Sequence, residues 1–237
     1  MVDYLKTGAI RQAVNFSPLD PETLRSLRDY LNVSHRLGLL CGQMLPAPPQ
    51  SCIMRFKGNV CERDTKLLTS AFAAGLMTKA MDQDISIVSA AALMKERGIK
   101  VVEERSADAG GFNSLVCAEI KTAKGTLSVA GTRFGSEMSR LVQMNDCRLE
   151  GCLEGNMLVF RHKDRPGVIG AVGSLFGKYD VNIAQMSVGG TGESIGILSL
   201  DSCPPAEAIT ELLKLPDIIQ AWNVQMPAAD ESPSWLG

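Results

Sequence analysis

Histidine is almost absent from this chain of 237 residues: only His35 and His162 occur. Neither has a neighbouring ligand set, so no metal site is expected, and His-based acid–base catalysis has little to work with. No G-x-G-x-x-G follows a strand, and there is no Walker loop, no G-x-S-x-G elbow and no H-E-x-x-H helix. Those absences remove the common signatures of dinucleotide binding, phosphate cradling, serine hydrolysis and zinc hydrolysis, and no catalytic residues are assigned. Seven cysteines, at 41, 52, 61, 117, 147, 152 and 203, include no C-x-x-C pair. An odd count without that pairing fits reduced, buried thiols rather than a disulfide framework. Excess charge is also missing. With 24 Lys and Arg against 26 Asp and Glu, the net charge of −2 gives no footprint for nucleic acid. The longest apolar run, Leu37 to Leu45, is too short to span a bilayer, and Met1-Val2-Asp3-Tyr4-Leu5-Lys6 has no apolar signal core. The expectation is a cytoplasmic protein with neither membrane nor nucleic acid as partner.

Apolar residues make up 45 % of the chain, enough for a packed core. Charge changes sign along it: residues 1–150 carry net +3 and residues 151–237 net −5, which supports a boundary near 150. Lys6-Thr7-Gly8 has the form of a helix end, and residues 1–20 read as a linker, with Asp20 capping the next helix and Pro21 at its first position. Apolar residues at 24, 27, 31, 37, 40 or 41, and 44 give helical spacing with one buried stripe, stopped by Pro46, Pro48 and Pro49. A strand follows at 52–56, a helix after Asp64, and a helix over 86–97 ending at Gly98. Strands are expected at about 99–105, 113–121, 126–132 and 139–145, with Lys124-Gly125 as a tight turn. The second part reads strand 156–162, helix 166–179, strand 182–189, strand 194–201, helix 204–214, strand 217–226. That order is βαββαβ, the ferredoxin-like split arrangement. The fold class is α+β, an α/β unit over 21–152 followed by the split unit over 155–227. The tail, 228–237, is rich in Pro, Ser and acid and reads as frayed, with Trp235 the one residue able to dock.

The densest chemistry is Arg161-His162-Lys163-Asp164-Arg165-Pro166-Gly167-Val168-Ile169-Gly170, followed by Val181-Asn182-Ile183-Ala184. The helix start at Gly167 and Val168 offers backbone N–H groups to a carboxylate, and Gly167 lets a ligand approach closely. Asp164 suits an ammonium group, and His162 with Asn182 suits a small polar side chain. In a split βαβ, Asn182 is expected near the loop leaving the first strand. The same residues also fit plainer roles: Asp164 as a helix cap, His162 as a strand end, Asn182 as a turn former. Gly167, Gly170, Gly173 and Gly177 share one helix face, suited to close packing on a sheet or a second subunit. Gly189-Gly190-Thr191-Gly192 joins two strands and is a hairpin, not a phosphate loop. Arg133, Arg140 and Arg148, on late strands of the first unit, form a weaker candidate anion site, with a solvated sheet face as the alternative.

These residues resemble the regulatory half of long-type D-3-phosphoglycerate dehydrogenases. Asp164-Arg165-Pro166-Gly167-Val168-Ile169-Gly170 and Val181-Asn182-Ile183-Ala184 look like that family's ACT domain. Met94-Lys95-Glu96-Arg97-Gly98-Ile99-Lys100-Val101 and Ser128-Val129-Ala130-Gly131-Thr132 look like its intervening, or allosteric substrate-binding, domain. Leu5-Lys6-Thr7-Gly8 and Ala13-Val14-Asn15 resemble the junction leaving the catalytic half. The resemblance implies L-serine as effector, held by His162, Asp164, Gly167, Val168 and Asn182. It implies self-association through ACT domains, an anion near Arg140 and Arg148, and a separate catalytic domain as partner. It places NAD in that catalytic half and no cofactor in this chain. Two alternatives are a free-standing amino-acid-sensing subunit and the β subunit of iron–sulfur serine dehydratases. The latter carry Ser-Ser-Ser-His, which Val33-Ser34-His35-Arg36 does not match.

Overall fold

Helix α1 (Pro21–Met44) ends where the prolines after Leu45 forbid another turn. The computed structural model describes residues 21–81, 85–135 and 138–236, so the expectations for residues 1–20, the Asp20 cap included, lie outside it. Leu27, Leu31, Leu37, Leu40 and Met44 form the expected apolar stripe, yet burial is not confined to it. Every residue from Val33 to Gly38 is buried, including Ser34, His35 and Arg36. A single stripe underestimates α1 because three bodies pack on it: a sheet, a second helix and the C-terminal tail.

The second helix, α2 (Thr65–Met81), starts after Asp64, whose carboxylate accepts from the Lys66 N–H at 3.1 Å. It meets α1 backbone to backbone. A Cβ on Gly38 would stand 2.1 Å from the Phe72 carbonyl oxygen, and one on Gly75 would stand 2.1 Å from that of His35. Helix α3 (Ile87–Glu96) is capped by Ser86 and followed by Gly98 in the left-handed region, at φ 71°.

Under these helices lies a six-stranded sheet of β1 (Pro49–Gly58), β2 (Lys100–Ser106), β3 (Ser114–Thr122), β4 (Gly125–Phe134), β5 (Met138–Met144) and β6 (Cys147–Cys152), in spatial order β2-β1-β3-β4-β5-β6. Only β1 and β2 run parallel; the other pairs are antiparallel. Cys52, Met54 and Phe56 of β1 point into the helical core. Strand β6 has no counterpart in the sequence reading. It follows a two-residue turn at Asn145-Asp146, and its alternation is broken by Gly151, which packs against Ile197.

The second sheet contains β7 (Asn156–Lys163), β8 (Ile183–Thr191), β9 (Glu193–Leu200) and β10 (Ile218–Gln225), all antiparallel, in order β10-β7-β9-β8. Helices α4 (Val168–Lys178) and α5 (Ala206–Leu212) cover one face through Phe160, Val172, Phe176, Leu198 and Leu212. The other face, with Met157, Val159, Ile195, Ile197 and Val224, joins the first unit's core. Strand β6 lies on this face: the Glu150 N–H donates to Ser187 Oγ at 3.0 Å, and a Cβ on Gly189 would meet the Arg148 carbonyl oxygen at 2.0 Å. Gly189 and Gly190 thus belong to β8, and Gly192 alone turns the hairpin.

Candidate functional site

The loop after β7 is shaped by backbone bonds from both neighbouring segments. The Lys163 N–H donates to the Asp217 carbonyl at 2.8 Å, and the Asp164 N–H donates to the Gly192 carbonyl at 2.8 Å. Arg165 reaches the Asp217 carboxylate at 3.4 Å. Gly167, at φ 91°, is the N-cap of α4, and its carbonyl accepts from the Ala171 N–H at 2.9 Å. This corrects the expectation that the helix begins at Pro166: the proline ends the loop, and the left-handed glycine makes the turn. Asp164 does not cap α4, which has no side-chain cap.

Asp164 and Gly167 are exposed, and Val168 is buried beside them. A hollow of about 140 Å³ lies between this helix start and the loop before β10, lined by Gly167, Val168, Ala171, Pro216, Asp217 and Ile218. The Val168 N–H is held weakly by the Arg165 carbonyl at 3.4 Å, and the next two N–H groups of α4, those of Ile169 and Gly170, precede the first intrahelical bond, so this end suits an anion such as a carboxylate. His162 lies beneath the loop rather than on it. It is 1 % exposed, its ring packs 5.3 Å from that of Phe160, and Nδ1 is 3.0 Å from the Lys163 carbonyl oxygen. Its Nε2 is buried without a partner, as is Oγ of Ser194, directly opposite on β9. His162 therefore shapes the loop from below.

Asn182 is not near the loop, contrary to the expectation for a split βαβ. Ile183 is level with Leu200, and Leu200 with Asn156 at the start of β7, whereas Asp164 extends beyond the end of β7. At the usual rise per residue, Asn182 and Asp164 of one chain are roughly 25 Å apart. Asn182 instead donates from Nδ2 to Asp201 Oδ2 at 2.7 Å, and its carbonyl accepts from the Asp201 N–H at 3.2 Å. Helix α4 turns Ile169, Gly170 and Gly177 outward, and Cβ atoms on Gly170, Gly173 or Gly177 would meet nothing within 4 Å. Those glycines do not pack on the chain's own sheet.

The three arginines do not converge. Arg133 is ion-paired with Asp29 of α1 on the helical side of the sheet. Arg140 faces the other way; its side chain is 13 % exposed, with Nε 3.7 Å from Glu150 Oε1 and Nε and Nη1 lacking hydrogen-bond partners. Arg148 is exposed, across from Gln143. Arg140 alone retains the features of an anion contact. Two residues that the sequence reading missed matter more. Asp217, at φ 73°, holds the loop through both carbonyl and carboxylate, and the Arg36 guanidinium is buried in the junction between the two sheets. Nothing in local periodicity signals either, because, apart from Asn32 one turn before Arg36, their partners are backbone groups or residues distant in sequence.

Among the described residues no His, Cys, Asp and Glu cluster able to hold a metal ion is found, and no helix is long and apolar enough to cross a membrane. Residues 26–145 match the family model of the D-3-phosphoglycerate dehydrogenase intervening domain, and residues 156–217 match the ACT domain. Similar curated proteins are the D-3-phosphoglycerate dehydrogenases of Bacillus subtilis (26 % identical over 96 % of this chain), Archaeoglobus fulgidus (29 % over 95 %) and Synechocystis (31 % over 91 %). The chain spans 44 %, 44 % and 40 % of their lengths, less than half of each. An intervening domain followed by an ACT domain, in this order and over nearly the whole chain, places it in the D-3-phosphoglycerate dehydrogenase family, as that family's regulatory half.

Proposed function

We propose that this chain is the feedback-control part of a cytoplasmic, NAD-dependent D-3-phosphoglycerate dehydrogenase, and that two copies join through their ACT domains to bind L-serine at the seam. The observation that carries the reading is the placement of Asp164 and Asn182 at opposite ends of one sheet whose last strand, β8, has no further strand beside it among the described residues. An isologous pair joined antiparallel along β8 brings Asn182 of one copy to the end where the other copy carries its Asp164–Val168 loop. Serine's carboxylate then meets the start of α4, its ammonium Asp164, and its hydroxyl the Asn182 amide, with His162 supporting the loop from below. The open glycine face of α4 offers the same seam close helix contact. Arg140 is the residue proposed for an anion, and the catalytic domain that would use NAD is the partner proposed to receive the signal.

Complementation tests this arrangement. Asp164→Ala and Asn182→Ala chains should each lose serine binding in titration calorimetry. Mixed in equal amounts, they should recover about one quarter of the wild-type sites, because half the dimers are mixed and each mixed dimer keeps one intact site of two. Recovery of no sites on mixing, with both variants folded and paired, would refute a shared site. The chain alone should show no turnover of 3-phosphoglycerate with NAD, since that chemistry belongs to the part of the relatives outside its span.

A further inference from the structure

Arg36 is 2 % exposed, in the middle of α1, and all five of its N–H donors are used. Nε donates to Asn32 Oδ1 at 2.9 Å. Nη1 donates to the carbonyls of Leu153 at 2.7 Å and Pro227 at 2.8 Å, and Nη2 to those of Ala228 at 2.6 Å and Glu231 at 2.8 Å. Leu153 is on the segment that carries the chain from β6 into the ACT sheet. Pro227, Ala228 and Glu231 are on the segment that leaves β10 and returns to α1. One guanidinium therefore grips both places where the chain crosses between the two units. The crossings also grip each other, through Gly155 N–H to the Pro227 carbonyl at 3.2 Å and Met226 N–H to the Gly155 carbonyl at 2.9 Å. Beyond Glu231 the tail folds back until Trp235 stands edge-on to His35, with ring centres 5.5 Å apart and planes at 84°.

The rest of the contact between the units is an apolar core with separate polar bridges, each to a single strand: Gln43 of α1 exchanges two hydrogen bonds with the Gln225 backbone of β10, at 2.8 and 3.0 Å, and the Glu150 N–H and Cys152 reach Ser187 and Gln185 of β8. Apolar burial is non-directional, so it holds the units together without fixing one orientation. A planar guanidinium with every donor committed does fix an orientation, because its fork donates to carbonyls only in one plane and at set angles. We infer that Arg36 is the positioning residue that sets the angle between the ACT domain and the intervening domain, so that a rearrangement at the ACT seam reaches α1 through it. The second half of this inference rests on the effector reading above; the first half does not.

Hydrogen exchange on the full chain tests it. Arg36→Met should speed exchange at least tenfold in the segments 153–156 and 226–231 while α2 and β3 keep wild-type rates. A residue that merely added stability would, when lost, speed exchange everywhere, and that uniform result would overturn the inference. If Arg36→Met does not fold, Arg36→Lys keeps the charge but offers three donors on one nitrogen, too few for four carbonyls and Asn32. It should give the same local pattern with smaller amplitude; unchanged or uniform rates would again overturn the inference. A second arm adds L-serine. In the wild type it should slow exchange at 164–170 and in α1, and in Arg36→Lys only at 164–170. Slowing in α1 that survives in Arg36→Lys would overturn the transmission step. No slowing anywhere in the wild type would defeat the serine reading, while the first arm still decides the positioning role.

Discussion

His35 shows how a single side chain can make the stability of this protein depend on pH. Burial, then the neighbouring Arg36 charge, lowers its pKa from 6.5 to about 4. The unfolded chain therefore binds a proton between those values that the folded chain refuses, so this contribution to stability is complete above about pH 6.5 and is lost as pH falls towards 4. A shift of this size corresponds to up to about 3 kcal/mol. His35→Leu should remove that dependence: chemical denaturation at pH 7 and pH 4.5 should show a smaller loss for the variant than for the wild type. The residue scale is also where sequence reading was weakest. His35 and Arg36 interrupt an apolar stripe and look like the wet side of a helix, and only the tail packing over them makes that side interior. The same contacts explain why a tail whose composition reads as frayed is held in place, since its carbonyls receive a buried cation and its Trp235 receives a ring.

At the scale of elements, glycine has opposite meanings in different helices. Gly38 and Gly75 let α1 and α2 touch through their backbones, and an added methyl at either would collide with a carbonyl oxygen. Gly75→Ala should destabilise the chain by about 3 kcal/mol, read from urea midpoints. Gly173, inside α4 with open space around it, should instead gain about 0.5 to 1 kcal/mol on substitution by Ala in the dissociated chain. Nearly every element was legible from period and punctuation: the prolines after α1, Asp64, Ser86 and Gly98, and the alternation in β1. Strand β6 was not, because Cys147-Arg148-Leu149-Glu150-Gly151-Cys152 takes its extended form from pairing with β5 and from lying on the ACT sheet. Asn182 stands one residue before β8, and it is far from Asp164 because β7 and β8 are both antiparallel to β9 and so run the same way, which puts the end of one and the start of the other at opposite edges of the sheet.

The two sheets share one apolar core, since Met157, Val159, Ile195, Ile197 and Val224 cluster with Leu37, Phe56 and Phe72, while a second, smaller core lies between the ACT sheet and its own helices. The whole molecule should therefore melt as one cooperative unit, with calorimetric and van't Hoff enthalpies in agreement; two resolved transitions would contradict a shared core. The parallel partnership of β1 with β2 has a consequence in time rather than in space. The run from β3 to β6 is a meander whose neighbours are close in sequence, and its hairpins can zip early. Strand β2 can reach β1 only after the whole connection through α2 and α3 is in place, a closure whose entropy must be met before any pairing rewards it. In a pulse-labelled refolding experiment the amides of Lys100–Ser106 should gain protection last, leaving the flank of β1 open to a wrong partner for as long as the chain waits.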